Sequence, residues 1–261
     1  MSIIGNVESL WRYPVKSMRG EELDEAFASY SGIYGDRVFA FRSSANHKGF
    51  PYFTARDQRR LLQYRPRFRY PDKAARPINL SEAESKGANP LLADLEELMV
   101  DVETPNGKTL AIDDPALIEE LGTNTDRQHD ITLMQSQRAM TDCSPISIFS
   151  LQSAQQLADE TRVPIDKRRF RANVYVDLAS ENGFAEDKLV GRSVRVGPKT
   201  VITILKRDSR CVIITLDPET GEQTPVILKK VAQAHDGMAG VYGAVLVEGM
   251  IHKGDQLEVI E

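Results

Sequence analysis

The 261-residue sequence predicts a mainly β chain with some helices, an α+β arrangement in two domains. Three observations lead there. At roughly 100–200 residues per domain, the length allows one large domain or two modest ones. Most segments are short alternating or β-branched runs set between turn residues, the spacing of a barrel or sandwich. Only three stretches carry helical spacing.

Residues 4–15 alternate loosely and end at Tyr13-Pro14-Val15. Val38–Arg42 follows the turn Gly35-Asp36-Arg37 and reads as a second strand. Met99–Thr104 and Thr109–Ile112 flank Pro105-Asn106-Gly107-Lys108, and Asn-Gly is a strong hairpin signal. Further strands are expected at Val174–Asp177, Ser193–Val196, Val201–Lys206, Cys211–Leu216, Ala244–Val247 and Gln256–Ile260. A helix is expected after Asn89-Pro90, where Leu91, Leu92, Leu95, Leu98 and Met99 share one face. Ser150 is placed to cap a helix through Thr161, and Pro115–Leu121 reads as a short third. Tyr70–Pro90 reads as a loop or insertion, and the polar stretch Gly122–Asp130 as a linker. The expected domains are therefore 1–122 and 123–261.

Composition narrows the function. Thirty-three Lys and Arg against 38 Asp and Glu leave a net charge of −5, which argues against bulk nucleic-acid binding. The two cysteines, Cys143 and Cys211, are too few for an iron–sulfur cluster or a disulfide framework. The opening MSIIGNVESLW has no basic region before an apolar stretch, and no apolar run approaches the ~18 residues of a membrane helix. A cytoplasmic setting and no membrane partner are expected.

Familiar motifs are missing. The glycines at 237, 240 and 243 have the wrong spacing for a dinucleotide turn, and no phosphate loop or nucleophile elbow occurs. The histidines His47, His129, His235 and His252 lack metal-ligand spacing. The chain is therefore not expected to draw electrons from a pyridine nucleotide by itself.

Several basic residues do sit in turn contexts: Lys16 beside Ser17, Arg37, Arg56, and the run Arg168-Arg169-Phe170-Arg171-Ala172-Asn173. Fixed arginines and lysines among backbone amides suit a phosphate, although a solvated charge run is the blander account of any one of them. Cys211 follows Asp208-Ser209-Arg210 and precedes an apolar run. An adjacent arginine favours a thiolate, a soft ligand or nucleophile; equally, a free cysteine there can be core filler. Cys143 is better read as structural.

These pieces meet in a resemblance. Val7-Glu8-Ser9-Leu10, Tyr13-Pro14-Val15-Lys16-Ser17 with Gly20, Gly32, Gly35-Asp36-Arg37 and Thr54-Ala55-Arg56 come first. Pro145-Ile146-Ser147-Ile148, Ser150, Ser153 and Arg169-Phe170-Arg171-Ala172-Asn173 follow. Arg210-Cys211, Thr215, Asp217-Pro218-Glu219-Thr220-Gly221, Gly240-Val241-Tyr242 and Gly254-Asp255 complete the order. In this order the chain resembles MOSC-domain proteins that carry an N-terminal β-barrel domain, and it is similar in layout to the amidoxime-reducing component and its bacterial relatives.

The resemblance implies a molybdenum cofactor, held by its pyranopterin between two barrel domains, with Cys211 as the protein ligand to the metal. Lys16, Ser17, Arg37 and Arg56 would contact it from the first domain, and Ser150, Ser153, Arg171 and Asn173 from the second. Asp142 and Tyr242 are candidate proton-relay or substrate-shell residues. Two departures stand out: Ala172 replaces a common proline, and Asp208-Ser209 precede Arg210 where relatives often carry another small residue or Cys.

The implied activity is reduction of N-hydroxylated compounds: hydroxylamines, amidoximes and N-hydroxylated bases. No four-cysteine ferredoxin-like segment follows the last strand, so a separate donor, a ferredoxin or flavin reductase, is expected. The alternatives are a cofactor carrier, or sulfur transfer on a Cys211 persulfide. At family level the resemblance also brings in pyridoxal phosphate binding. Substrate choice is expected to lie in loops such as Ala45–Pro51, Pro71–Pro90 and Ala232–Gly240.

Overall fold

The structure is a computed structural model describing residues 2–46, 49–123, 125 and 130–260. The chain forms two compact units. The first comprises Met1–Arg12, Glu21–Ile33 and Thr141–Glu261; the second comprises Tyr13–Gly20 and Tyr34–Met140. This division interleaves segments, where the sequence suggested a single cut at 122/123. Most of the expected linker lies outside the described residues.

Seven strands of the first unit close into a barrel. They are β1 (Ser2–Arg12), β2 (Ile146–Ser150), β3 (Val174–Leu178), β4 (Ser193–Val196), β5 (Thr200–Ser209), β6 (Met238–Val247) and β7 (Gln256–Ile260). The hydrogen-bonded order is β3-β2-β6-β5-β4-β7-β1, and β1 pairs again with β3 to complete the circle. Closure leaves no exposed edge along the ring, which an open sheet of this length would otherwise have to protect.

Alternation sends Ile146, Ile148, Val174, Val176, Val194, Val196, Ile202 and Ile204 into the barrel interior cluster. In β1 both Val7 and Leu10 join that cluster although an odd number of steps separates them. A bulge between Val7 and Ser9 inserts the extra residue that restores the facing.

All these pairings are antiparallel except β2 with β3, where Ile148 meets Val174 in parallel. Parallel neighbours need a crossover, and the helix Leu151–Thr161 supplies it. Ser150 caps that helix, its side chain accepting from the Ser153 amide, as the sequence predicted. The helix buries Ala154 and Leu157 against Phe149 and Tyr175, which project from the other face of β2 and β3. A second helix, Pro225–Ala234, adds Ile227 and Val231 to this outer cluster. No helix is expected here from the sequence, although Ile227 and Val231 stand one helical turn apart.

The second unit holds two three-stranded antiparallel sheets. One joins Ile131–Gln135, Phe39–Ser43 and Tyr52–Phe53; the other joins Arg65–Phe68, Val100–Glu103 and Thr109–Ala111. The Asn106-Gly107 hairpin and the helix Pro115–Gly122 form as expected.

Two expectations fail here. Leu91–Met99 is not a helix. Its early amides are held from outside: Leu91 donates to Asn79 Oδ1 at 2.7 Å and Ala93 to the Tyr34 hydroxyl at 2.8 Å, leaving only a turn at 95–98. Conversely, Tyr70–Pro90 is not a plain loop but carries helices Pro71–Ala75 and Leu80–Lys86, the latter ended by Gly87 in the left-handed region.

Gly5 stands where β1 meets β3. A Cβ there would lie 2.3 Å from the Asp177 carbonyl oxygen and 2.8 Å from Leu178 Cα. Gly5→Ala is therefore expected to destabilise the barrel by about 1–3 kcal/mol in a denaturant melt; an unchanged midpoint would show that the seam tolerates a methyl group.

Candidate functional site

Cys211 does not begin a strand, contrary to the sequence reading. β5 ends at Ser209, and Cys211 heads a single 3-10 turn, Val212–Thr215. β-propensity is overridden by packing: Ile214 turns into the outer cluster beside Phe170 and Ile227. The Thr215 hydroxyl donates to the Val212 carbonyl at 2.7 Å, and the Thr224 amide to the Thr215 carbonyl at 2.7 Å. The Cys211 residue is half-buried. Cys143 is exposed, which corrects its structural reading.

Arg210 does not simply lend charge to the neighbouring thiol. Its Nε donates to the Ala239 carbonyl at 2.6 Å and its Nη1 to the Phe170 carbonyl at 2.9 Å. Its Nη2 lies 2.8 Å from Asp208 Oδ2, and its guanidinium packs over the Phe170 ring. Arg169 is nearly buried; its Nη1 donates to the Thr215 carbonyl at 2.9 Å and its Nη2 to Asp217 Oδ2 at 3.2 Å.

Arg171 follows the 3-10 turn Lys167–Phe170 in the left-handed region, φ 52°, and is half-buried. Asn173, two residues on, is 1% exposed. Its Oδ1 accepts from the Ser147 amide and hydroxyl, both at 3.2 Å, and its Nδ2 donates to the Trp11 carbonyl at 3.3 Å. It ties β1 and β2 to the start of β3.

Ser150 and Ser153 are both fully buried, and their hydroxyls donate to Glu186 Oε2 and Oε1, each at 2.7 Å. The Ser150 amide also donates to Glu186 at 3.3 Å, and the Phe184 amide donates to Ser153 Oγ at 2.7 Å. The pair satisfies a buried carboxylate and locks the crossover helix onto the barrel. Nothing local in the sequence marked Glu186, which lies more than 30 residues further along the chain.

Asp142 is exposed in the segment leading to β2. Tyr242 faces Lys206 across the β5–β6 ladder, whereas the Cys211 end of β5 is marked by the Ser209–Met238 pair. Tyr242 thus stands roughly 13 Å along the strand from that end.

A groove of about 380 Å³ opens beside the cysteine turn. Val212 and Thr215 form one wall, and Pro225, Leu228 and Ala232 of the following helix form the other, with Lys229 among the lining residues.

In the second unit, Lys16, Ser17 and Arg37 gather around one pair of backbone segments. The Arg37 amide donates to the Tyr13 carbonyl at 2.7 Å, and the Lys16 amide to the Phe39 carbonyl at 2.8 Å. Lys16 Nζ donates to the Met140 carbonyl at 2.7 Å and lies 4.5 Å from the Tyr52 ring centre. Arg37 pairs with Asp36 and packs over Tyr13. Ser17 and Arg37 both occupy the left-handed region, at φ 66° and 47°. Arg56 is exposed and packs over Phe50.

A closed barrel whose outer layer presents a cysteine turn beside an arginine-rich turn defines the class of protein. The chain belongs to the MOSC family: residues 4–144 match the MOSC N-terminal beta barrel domain and residues 135–258 the MOSC domain. No curated protein matches it. Among solved structures it is similar to the YuaD protein of Bacillus subtilis, at 14% identity over 98% of this chain and 94% of that one, TM-score 0.47. It is also similar to YiiM of Geobacillus stearothermophilus, at 20% identity over 45% and 55%, TM-score 0.36. Neither pyridoxal phosphate binding nor sulfur carriage gains support from these matches. Among the described residues no helix is long and apolar enough to cross a membrane, and none gather as a His/Cys/Asp/Glu metal cluster.

Two carboxylates beside the Arg168-Arg169 pair, Asp217 and Asp166, titrate low. Burial alone raises Asp217, but the Thr220 and Glu219 amides and Arg169 outweigh it and hold the carboxyl below its ordinary 3.8. Asp166 is likewise lowered, burial being outweighed by Arg168. A lowered folded-state pKa contributes stability that is complete above the unfolded value and lost as pH falls through the folded value. Unfolding free energy is therefore expected to drop below about pH 3.8, and Asp217→Asn to flatten part of that limb in acid denaturant melts. An unaltered acid limb in Asp217→Asn would contradict the assignment.

Proposed function

We propose that the protein is a molybdenum-cofactor-dependent oxidoreductase that removes oxygen from N-hydroxylated compounds, with electrons supplied by a separate ferredoxin or flavin reductase. The observation that carries the reading is Cys211: a half-buried thiol heading a packed turn, inside the stretch that matches the MOSC domain.

The donor chemistry fits in part. Cys211 supplies the soft ligand a heavy metal prefers, and Arg171 offers a fixed guanidinium for a phosphate or pterin. Lys16, Ser17, Arg37 and Arg56 remain proposed phosphate and pterin contacts, as the resemblance implies. The cofactor, when bound, supplies two-electron oxygen chemistry. Converting R–NHOH to R–NH2 and water consumes two electrons and two protons. Asp142, exposed ahead of β2, is the proposed proton donor. The groove beside the cysteine turn is the proposed seat for the substrate's apolar body, with Lys229 selecting an anionic end.

Protein from a cofactor-competent host is expected to reduce hydroxylamine and a benzamidoxime with a chemically reduced viologen, and not with NADH alone. Asp142→Ala should lower turnover while molybdenum stays bound. Ala232→Trp, which fills the groove from an exposed position, should raise KM for the amidoxime about fivefold or more and leave hydroxylamine unaffected. Loaded protein without turnover would indicate a carrier; a labile sulfane sulfur without metal would indicate sulfur transfer.

A further inference from the structure

Two nearly buried arginines cross between the same two segments in opposite directions. Arg210, from the cysteine segment, donates to the Phe170 carbonyl, the residue directly before Arg171. Arg169, from the arginine segment, donates to the Thr215 carbonyl, the last residue of the turn that Cys211 heads. Each is backed by a carboxylate of its own segment or the facing one: Asp208 for Arg210 and Asp217 for Arg169.

Simple packing does not require this. Burying a guanidinium is costly, and an apolar side chain would fill the same space. What arginine adds is a planar fork that reaches several fixed acceptors at once. Arg210 donates its Nε and Nη1 to two different carbonyls, and its Nη2 stands in an ion pair with Asp208. The approach also demands glycine at 240: φ there is +79°, and a Cβ would stand 3.1 Å from Arg210 Nη2 and 2.8 Å from the Ile148 carbonyl oxygen.

We infer that Arg169 and Arg210 form a reciprocal clamp that sets the spacing between Cys211 and Arg171, and are positioning residues for a ligand those two share. The inference rests on the reading of Cys211 as metal ligand. The clamp holds one end of the cysteine turn to the arginine turn and the other end back to it, so neither segment shifts alone.

The test uses the full chain purified without cofactor, in a Cys143→Ser background so that only one thiol reports. Iodoacetamide alkylation of Cys211 is followed across a pH series. Arg169→Lys and Arg210→Lys keep the charge and lose the fork. Each is expected to change the alkylation rate by about threefold or more, and the double variant by no more than the larger single change, because both loosen one device. Arg195→Lys, which disturbs the Arg195–Glu258 pair elsewhere on the barrel, serves as control. Rates within the control range, or effects that multiply, would overturn the clamp. If either lysine variant fails to fold, Asp208→Asn and Asp217→Asn each remove one backing carboxylate, and the same non-multiplying pattern is expected at smaller amplitude. Because the thiol is read in empty protein, failure of the wild type to bind molybdenum would defeat the cofactor reading and leave this result standing.

Discussion

The first unit depends on one seam, the antiparallel pairing of β1 with β3 that turns a sheet into a ring. Without it, β1 and β3 would each present an unpaired edge, and the aliphatic interior would open on that side. The strand that makes the seam comes from the opposite end of the sequence, so a long loop must close before the barrel exists. Asn173 reinforces the junction by bonding to both Ser147 and Trp11, which lie on the two strands flanking the start of β3.

The barrel also explains why the turns carrying Arg171 and Cys211 lie in its outer layer. Parallel pairing of β2 and β3 requires a crossover helix, and that helix needs something to cover. Phe149, Phe170 and Tyr175 provide it, with Phe149 stacked on Phe170 at 4.0 Å between ring centres. The two turns that carry Arg171 and Cys211 are anchored in this aromatic layer through Phe170 and Ile214. Irregular backbone is thereby packed against the core, the kind of support a ligand site needs.

Much of this was legible in the sequence. Alternation located most barrel strands, Asn106-Gly107 located its hairpin, and Ser150 announced a helix start. The order of weak motifs carried the family. What failed did so for tertiary reasons. Cys-Val-Ile-Ile-Thr reads as strand by propensity, but Ile214 gains more by turning into the outer cluster. Leu91–Met99 has helical spacing, yet Asn79 and Tyr34 draw its amides away. At the candidate site, residue type alone does not show what burial adds: Ser150, Ser153 and Asn173 also hold the fold together, through Glu186, Ser147 and Trp11. Those partners lie far away in sequence, and no local pattern names them.

The central claim is that Cys211 binds a molybdenum cofactor. It is tested most directly by metal and pterin analysis of full-length protein from a cofactor-supplemented host, beside Cys211→Ser made in parallel. The account predicts near-stoichiometric molybdenum with pterin in the parent and loss of the metal in the variant. Equal molybdenum in both, or none in the parent, would contradict it.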